Sequence, residues 1–333
     1  VKNTKSLIAV ALIAILTIVM VQNPIINTYV SILKGHAVYT AAVHTELYQK
    51  IEEEASHYNI PPKDAVIDPV WKATPGYNGI QVDVNASFKK MKKSNRFDPH
   101  KLVFKQISPK VHLDDLEASP IYRGYPEKPM VSFLINVAWG NEYLPKILST
   151  LKKYNVHATF FLEGRWVKEN PELAKMIVDG GNEVGNHSYT HPDMKTLASE
   201  QVREQLIKTN QVIEATTGKK VKWFAPPSGS YRDEVIKIAN SLDLSTIMWT
   251  VDTIDWQKPT QDVLVQRVLK KVGPGAMILM HPTKPTADGL ETLIKEIKKR
   301  QLRIGTVSRL LDEERIVKVD GGPSSNRNND EIN

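Results

Sequence analysis

The residues best able to do chemistry include a five-residue stretch, His187-Ser188-Tyr189-Thr190-His191. Two imidazoles in that spacing can converge on one divalent ion if a loop brings them together. Otherwise they form a structural or surface pair. The flanking Gly181, Gly185, Asn186 and Pro192 argue for a shaped loop. His281 closes an apolar run, Ile278-Leu279-Met280. It reads either as an acid–base group or as a histidine that caps the core by bonding a loop. Asp255 stands beside Trp256, where a carboxylate can hold and charge an imidazole; alternatively it opens a helix near Thr260. The chain has no cysteine, so any bound ion rests on histidine, carboxylate or backbone oxygen.

These residues share a position, because each follows a short apolar run. Such runs occur at 131–138, 157–161, 182–186, 221–226, 245–250, 275–281 and 302–307. Amphipathic stretches lie between them at 143–153, 171–179, 199–216, 233–240, 261–271 and 289–299. β-branched runs bounded by turns predict buried parallel strands, and their alternation with helices predicts an α/β fold. Seven strand–helix units come close to a barrel, although an open doubly wound sheet shows the same alternation. In either architecture functional groups gather past the C-terminal strand ends. That rule collects Asn136, Trp139 and Glu142, then His187 and His191, then Pro226, Ser228 and Gly229, then Asp255 and Trp256, and last His281.

The rest of the chain sets the context. Its 333 residues, 41% hydrophobic and 24% charged, are those of a globular protein of about two domains. The net charge, 44 − 37 = +7, is mild and fits a scattered basic surface or anionic surroundings. There is no aromatic–basic RNA-binding pattern and no phosphate-binding glycine motif, so no nucleic-acid partner is expected. Lys2 and Lys5 precede an uncharged apolar run at 7–21, which predicts a signal-anchor or signal peptide over residues 1–30. No small-x-small site follows soon after Val21. An uncleaved membrane anchor with the body outside the cytoplasm is therefore expected; the alternative is secretion after cleavage. Residues 31–118 read as a helix (41–59) and a small α+β module, 119–129 as a Pro- and Gly-rich linker, and 313–333 as a disordered tail.

Taken in order, HATFFLEG at 157–164, GGNEVGNHSYTH at 180–191, Asp255-Trp256 and Leu279-Met280-His281 resemble the polysaccharide deacetylase family, the NodB-homology domain. The likeness spans residues about 128–312 and is nearest to the sporulation-type branch. It implies a distorted (β/α)7-type barrel over 130–312, preceded by the small α+β module and the N-terminal membrane segment. It also implies metal-assisted removal of N-acetyl groups from a cell-wall glycan, peptidoglycan or chitin-like, with zinc or a similar divalent ion as cofactor.

Carried over residue by residue, the resemblance assigns His187 and His191 to the metal, His281 to the acid and Asp255 to the carboxylate that tunes it. Trp139, Pro226, Gly229 and Trp256 take substrate-binding positions. The first strand end departs from the family pattern. Asn136 occupies the position of the base Asp, Val137 and Ala138 follow where a metal Asp is expected, and Ala225 stands where an Arg would steady the base. A neutral amide accepts no proton at ordinary pH, and general acid–base catalysis is typically worth about 10²–10⁴-fold. Loss of a charged ligand leaves a weak or absent ion site. An Arg beside Asn136 would be an unpaired buried cation, so Ala225 is consistent with the missing carboxylate. Glu142 reads either as a substitute base or as an exposed residue opening the next helix. The expectation is thus a wall-glycan deacetylase with an altered site, or alternatively a pseudoenzyme that binds wall glycan or a partner without turnover.

Overall fold

The computed structural model describes residues 46–316, with positions 23, 24, 27, 28 and 31 before them. The apolar run at 7–21 and most of the tail expected at 313–333 lie outside the described residues. Among the described residues no helix is long and apolar enough to cross a membrane. The chain divides into two compact units, one holding residues 46–60 and 80–105 and the other 61–79 and 106–316.

In chain order the first elements are α1 (Glu46–Tyr58), β1 (Val66–Asp68), β2 (Lys72–Thr74), β3 (Gly79–Val82), α2 (Val84–Met91) and β4 (Phe104–Ile107). Helix α1 buries Leu47, Tyr48, Ile51 and Ala55, the repeat that puts one face of a helix on a core, while Glu52 and Glu53 stay exposed. Leu47, Ile51 and Ala55 pack with Val82, Met91 and Leu102 to form the small unit's core. Helix α2 starts where the Asp83 side chain accepts the Ala86 N–H at 2.8 Å. β1 and β2 make an antiparallel hairpin that belongs to the larger unit.

The larger unit continues with β5 (Met130–Val137), α3 (Leu144–Lys153), β6 (Thr159–Leu162), α4 (Gly164–Glu169), α5 (Pro171–Asp179), β7 (Glu183–Asn186) and α6 (Ser199–Thr217). There follow β8 (Trp223–Phe224), α7 (Asp233–Asn240), β9 (Ser245–Thr246), β10 (Val251–Asp252), α8 (Gln261–Leu269), β11 (Met277–Met280), α9 (Lys284–Lys299), β12 (Arg303–Gly305) and α10 (Val307–Leu311). The strands pair in parallel in the order β10-β11-β5-β6-β7-β8-β9, with β12 also on β5. The expected parallel α/β sheet is present. Its hydrogen-bonded order is an open path with β10 and β9 at its ends, so the sheet curls without closing into a barrel.

β5 is buried along its whole length, which explains its unbroken apolar run. Its alternate side chains Val131, Phe133, Ile135 and Val137 join one core cluster with side chains of α3, α8 and α9. Met130 and Leu134 face the other way and join a second cluster with Phe161, Ala225 and Ile247. Asn136 shares the parity of Leu134, so the polar end of the strand turns toward the inside of the curl.

The structure redraws three expected elements. The apolar run 245–250 holds only the short strand β9, and β10 begins after it at Val251, because the Met248 N–H bonds the Ile121 carbonyl at 2.8 Å and the Thr250 N–H bonds that of Met277 at 3.1 Å. The segment 119–129, expected as a linker, is laid into the larger unit. Ile121 is buried and its N–H bonds the Thr246 carbonyl at 2.8 Å, while the Gly124 N–H bonds the Gly275 carbonyl at 2.8 Å. Helix α9 begins at Lys284 and not at 289, because Thr283 caps it and Pro285 sits in its first turn.

Candidate functional site

The loop after β7 is built by its neighbours before its histidines are placed. Asn186 Nδ2 donates to the Leu206 carbonyl at 2.9 Å and to Asn210 Oδ1 at 2.7 Å, while its own Oδ1 accepts the Ser188 N–H at 2.8 Å. Gln205 Oε1 accepts the N–H groups of Tyr189 and Thr190 at 2.8 and 2.9 Å. Helix α6 thereby clamps the loop, with Ser188 and His191 at φ 63° and 54°. Non-glycine residues adopt such angles only when their surroundings enforce them.

His187 and His191 come together as their spacing suggests. Their ring centroids are 5.0 Å apart and the rings cross at 72°. His187 Nδ1 lies 2.7 Å from the Ala225 carbonyl oxygen. A carbonyl only accepts, so Nδ1 carries the proton and Nε2 keeps its lone pair. Burial, reinforced by the neighbouring His191 and His281, pushes the His187 imidazole down to about 3. The ring is therefore neutral at ordinary pH, the form that ligates a metal.

The donor set stops at two nitrogens. Among the described residues no group of three His, Asp or Glu side chains could hold an ion. Catalytic zinc takes three protein ligands. Val137, which follows Asn136, is fully buried in the helix-facing core. An ion bound by this pair would take its other positions from water or a remote oxygen. Asn136 itself is 5% exposed, and its buried Oδ1 has no hydrogen-bond partner among the described residues. Glu163, at the end of β6, is also buried. Burial pushes its carboxyl up, against the opposing Arg165 charge and the Trp166 N–H. It caps α4 through that N–H at 3.2 Å and meets Arg165 Nη2 at 3.2 Å, so its oxygens are engaged.

The other half of the site is closely bonded. Asp255 is 0% exposed. Its Oδ1 accepts from His281 Nδ1 at 2.8 Å, and its Oδ2 accepts from the His281 N–H at 2.6 Å, Thr286 Oγ1 at 2.6 Å and Thr283 Oγ1 at 3.3 Å. Burial alone would raise this carboxyl. The His281 hydrogen bond and charge, with Thr286 and the His281 N–H, outweigh it and hold the carboxyl below its ordinary range. Asp255 holds the His281 imidazole and the same carboxylate fastens the strand end to α9, whereas the helix near Thr260 is capped by Thr260 and not by Asp255. Ile254 and Lys258 take φ 52° and 55° on either side of the turn that carries Asp255.

Trp139 stacks on the His281 ring at 5.9 Å between centroids, with 7° between planes. It is 48% exposed and Trp256 54% exposed, and both line one cavity of about 730 Å³ together with Glu142, Lys258, Gln261 and Thr283. Pro226 and Gly229 lie outside that lining. They form the turn after β8, where the Gly229 N–H bonds the Pro226 carbonyl at 2.9 Å. Gly229 has φ +66°, and a Cβ there would meet the Trp249 ring at 2.7 Å, so glycine is required. Glu142 is exposed in the turn that opens α3. Sequence reasoning missed Thr283, Thr286, Gln205 and Asn210. Thr283-x-x-Thr286 reads as an ordinary N-cap pattern, so nothing in the sequence marks its bonds to Asp255.

A curled parallel sheet with paired histidines past one strand and an aspartate–histidine dyad past two others defines a NodB-homology protein. The polysaccharide deacetylase family signature matches residues 123–247. The chain belongs to this family, in its YlxY-like branch. It is 54% identical over 299 residues to the uncharacterized protein YlxY of Bacillus subtilis, covering 90% of this chain and 94% of that one. It is 31% identical over 197 residues to the peptidoglycan-N-acetylmuramic acid deacetylase PdaA of the same organism, covering 58% and 75%. It is also similar to the crystal structure of a CE4 family pseudoenzyme from Bacillus anthracis, with 60% identity, a TM-score of 0.77, and coverage of 81% of this chain and 96% of that one. A mutant of that pseudoenzyme with restored enzymatic activity matches at 59% identity and the same TM-score, 0.77.

Proposed function

We propose that this protein holds N-acetylated peptidoglycan strands in the groove between Trp139 and Trp256 and does not hydrolyse them. The observation that carries this reading is Asn136, a neutral amide with an unpartnered buried oxygen at the position where the reaction needs a base. Supporting it, Val137 and Ala225 remove the charged ligand and the cation that would accompany that base. The names of the PdaA relative and of the pseudoenzyme support the glycan class and the silence in turn. The reading includes tethering at the outer face of the membrane through the run at 7–21.

In this reading the two tryptophans present flat apolar faces to sugar rings, and the rim groups Glu142, Lys258 and Gln261 bond hydroxyl and acetamide groups. Asp255 accepts from His281 Nδ1 and so fixes the tautomer that leaves the lone pair of the neutral ring on Nε2. The test is binding without turnover. Isothermal titration with N-acetylated peptidoglycan oligomers should show association, and an acetate assay with added Zn²⁺ should show none above a protein-free blank. Acetate released by the wild type would sink the proposal. Trp139→Ala and Trp256→Ala should each weaken binding by about ten- to thirtyfold, the loss of one aromatic anchor.

His187 and His191 hold a divalent ion weakly in this reading. Zn²⁺ titration of His187→Ala should lose at least about tenfold in affinity, a loss seen even for partners outside the first coordination sphere. Unchanged zinc affinity would remove the pair from any metal role.

A further inference from the structure

The end of the parallel sheet away from the tryptophan groove is strongly basic. Arg303 opens β12 and pairs with Met130 at the start of β5, whereas Asn136 lies near the other end of β5. At about 3.3 Å per residue those ends are roughly 20 Å apart. Helix α9 packs against both α3 and α8. Lys298 Nζ donates to the Tyr154 carbonyl at 2.7 Å and Arg300 Nη1 to that of Leu269 at 2.7 Å, so the three helices end together. The segments 150–155, 268–273 and 291–303 hold nine lysines and arginines against two glutamates, an excess of +7, equal to the net charge of the whole chain. All nine cations are exposed.

Helix C-termini attract cations, but each macrodipole supplies only roughly half a negative charge, so three helices balance little of this excess. Lys153 and Lys295 share Glu291, at 3.2 and 2.8 Å, and Lys299 pairs with Glu296. Lys152, Lys270, Lys271 and Arg303 have no carboxylate partner among the described residues, and Lys298 and Arg300 hydrogen-bond only the neutral carbonyls already named.

An apolar feature adjoins this face. The β1–β2 hairpin shows Val66, Ile67, Val70 and Trp71 to solvent, with Val70 71% exposed. Asp68 Oδ1 accepts the N–H groups of Val70 and Trp71 at 2.8 and 2.7 Å, which holds the tip in one turn. The Arg123 guanidinium lies 5.3 Å from the centroid of the Trp71 ring. Its Nη2 donates to the Pro274 carbonyl at 3.4 Å, three residues beyond Lys271, so Arg123 joins the apolar tip to the basic face. In charge, Lys72 and Arg123 offset Asp68 and Glu127 here, and the excess is unchanged.

We propose that this face rests on an anionic lipid surface, with the cations at the headgroups and Val70 and Trp71 at the boundary of the acyl chains. Charge alone fits any polyanion. The tip decides for a bilayer, because exposed apolar side chains gain only by entering an apolar phase, which a phosphate polymer lacks. Tryptophan is the side chain that favours that boundary. The proposal rests on the reading that places the chain at a membrane, and adds that the body itself touches it, with the groove turned away.

The chain has no cysteine, so Val70→Cys takes a single environment-sensitive fluorophore. Lys195→Cys, exposed in the loop after β7 at the rim, carries the same label as the control. The labelled full chains are mixed with vesicles of phosphatidylcholine, with or without phosphatidylglycerol, that contain spin-labelled lipid as quencher. At position 70 quenching should be at least about fivefold stronger on the anionic vesicles, and at position 195 the label should stay in water on both. Salt at about 0.5 M should return the label at 70 to water, because surface charges are then screened. The triple variant Lys270→Gln, Lys271→Gln and Arg303→Gln should do the same at an unchanged melting temperature, since three cations near an anionic surface are worth roughly a hundredfold in affinity. Sedimentation with phosphatidylcholine alone tests the tether at 7–21 separately, because an apolar span inserts without anionic lipid. A chain left in solution there, yet quenched at 70 by the anionic vesicles, removes the tether and supports this proposal. A label at 70 that stays in water on anionic vesicles, equal quenching at 70 and 195, or full quenching in the triple variant overturns it. The first of these, together with tight binding of inorganic polyphosphate, would assign the face to a polymer instead.

Discussion

Asn136→Asp is expected to raise acetate release from N-acetylated glycan oligomers from background by about 10²–10⁴-fold in the presence of Zn²⁺, the usual worth of a general base. The expectation rests on what is already in place: His187 with a free Nε2, and an Asp255–His281 dyad whose carboxylate is fully bonded. The variant needs no new space, because Asn and Asp have the same shape. Ala225 sets a second arm of the test. It is 3% exposed, so Ala225→Arg alone places an unpaired cation in the interior, at a cost of about 3–5 kcal/mol. In the double variant the new carboxylate pairs with that cation, so part of the stability should return and activity should rise further. Equal acetate release by wild type and Asn136→Asp would remove Asn136 from the base position.

Asp255→Ala is expected to cost about 3–5 kcal/mol of folding stability, because it strands donors from His281, Thr283 and Thr286 at one buried point. Urea unfolding of Asp255→Ala and Asp255→Asn against wild type measures it. The pH dependence has a definite sign. The folded-state pKa of Asp255 lies below its unfolded value of about 3.9. The carboxylate's stabilisation is therefore full above about pH 4 and is lost as pH falls through the lower folded-state value. Wild type should lose stability more steeply than Asp255→Asn across that acid window. Parallel curves, or a cost under about 1 kcal/mol, would show that the dyad is not a structural fastening.

The candidate site was legible in the sequence where chemistry resides in residue type and order. His187, His191, Asp255 and His281 follow strand ends, and parallel strands deliver their ends to one rim. Asn136 drew notice in the sequence only through the resemblance; what the structure adds is its burial and its unpartnered oxygen. The holding bonds were not legible. Thr283 and Thr286 look like an ordinary helix start, and their bonds to Asp255 exist only because α9 follows β11 directly. Composition misread 119–129 as a linker, since Pro and Gly report local chain preference and not where Ile121 finds its backbone partner. The shortening of the strand expected at 245–250 depends on Ile121 and Met277, distant partners that a β-branched run does not reveal. Helix α4 spans only Gly164–Glu169, too short for a periodic signal.

Ten non-glycine residues among those described have positive φ, and five of them, Ser188, His191, Ser228, Ile254 and Lys258, sit on the loops of the rim. Each conformation costs about 1–3 kcal/mol and persists only because its surroundings over-determine it. The ordering of this rim is thus settled during folding and not at the moment of encounter. In the proposed reading a glycan strand would meet loops with little entropy left to remove, and loop ordering is one of the costs that binding must offset. In that reading the strained backbone is a receptor already set in shape, a property that serves recognition equally well whether or not a bond is ever cut.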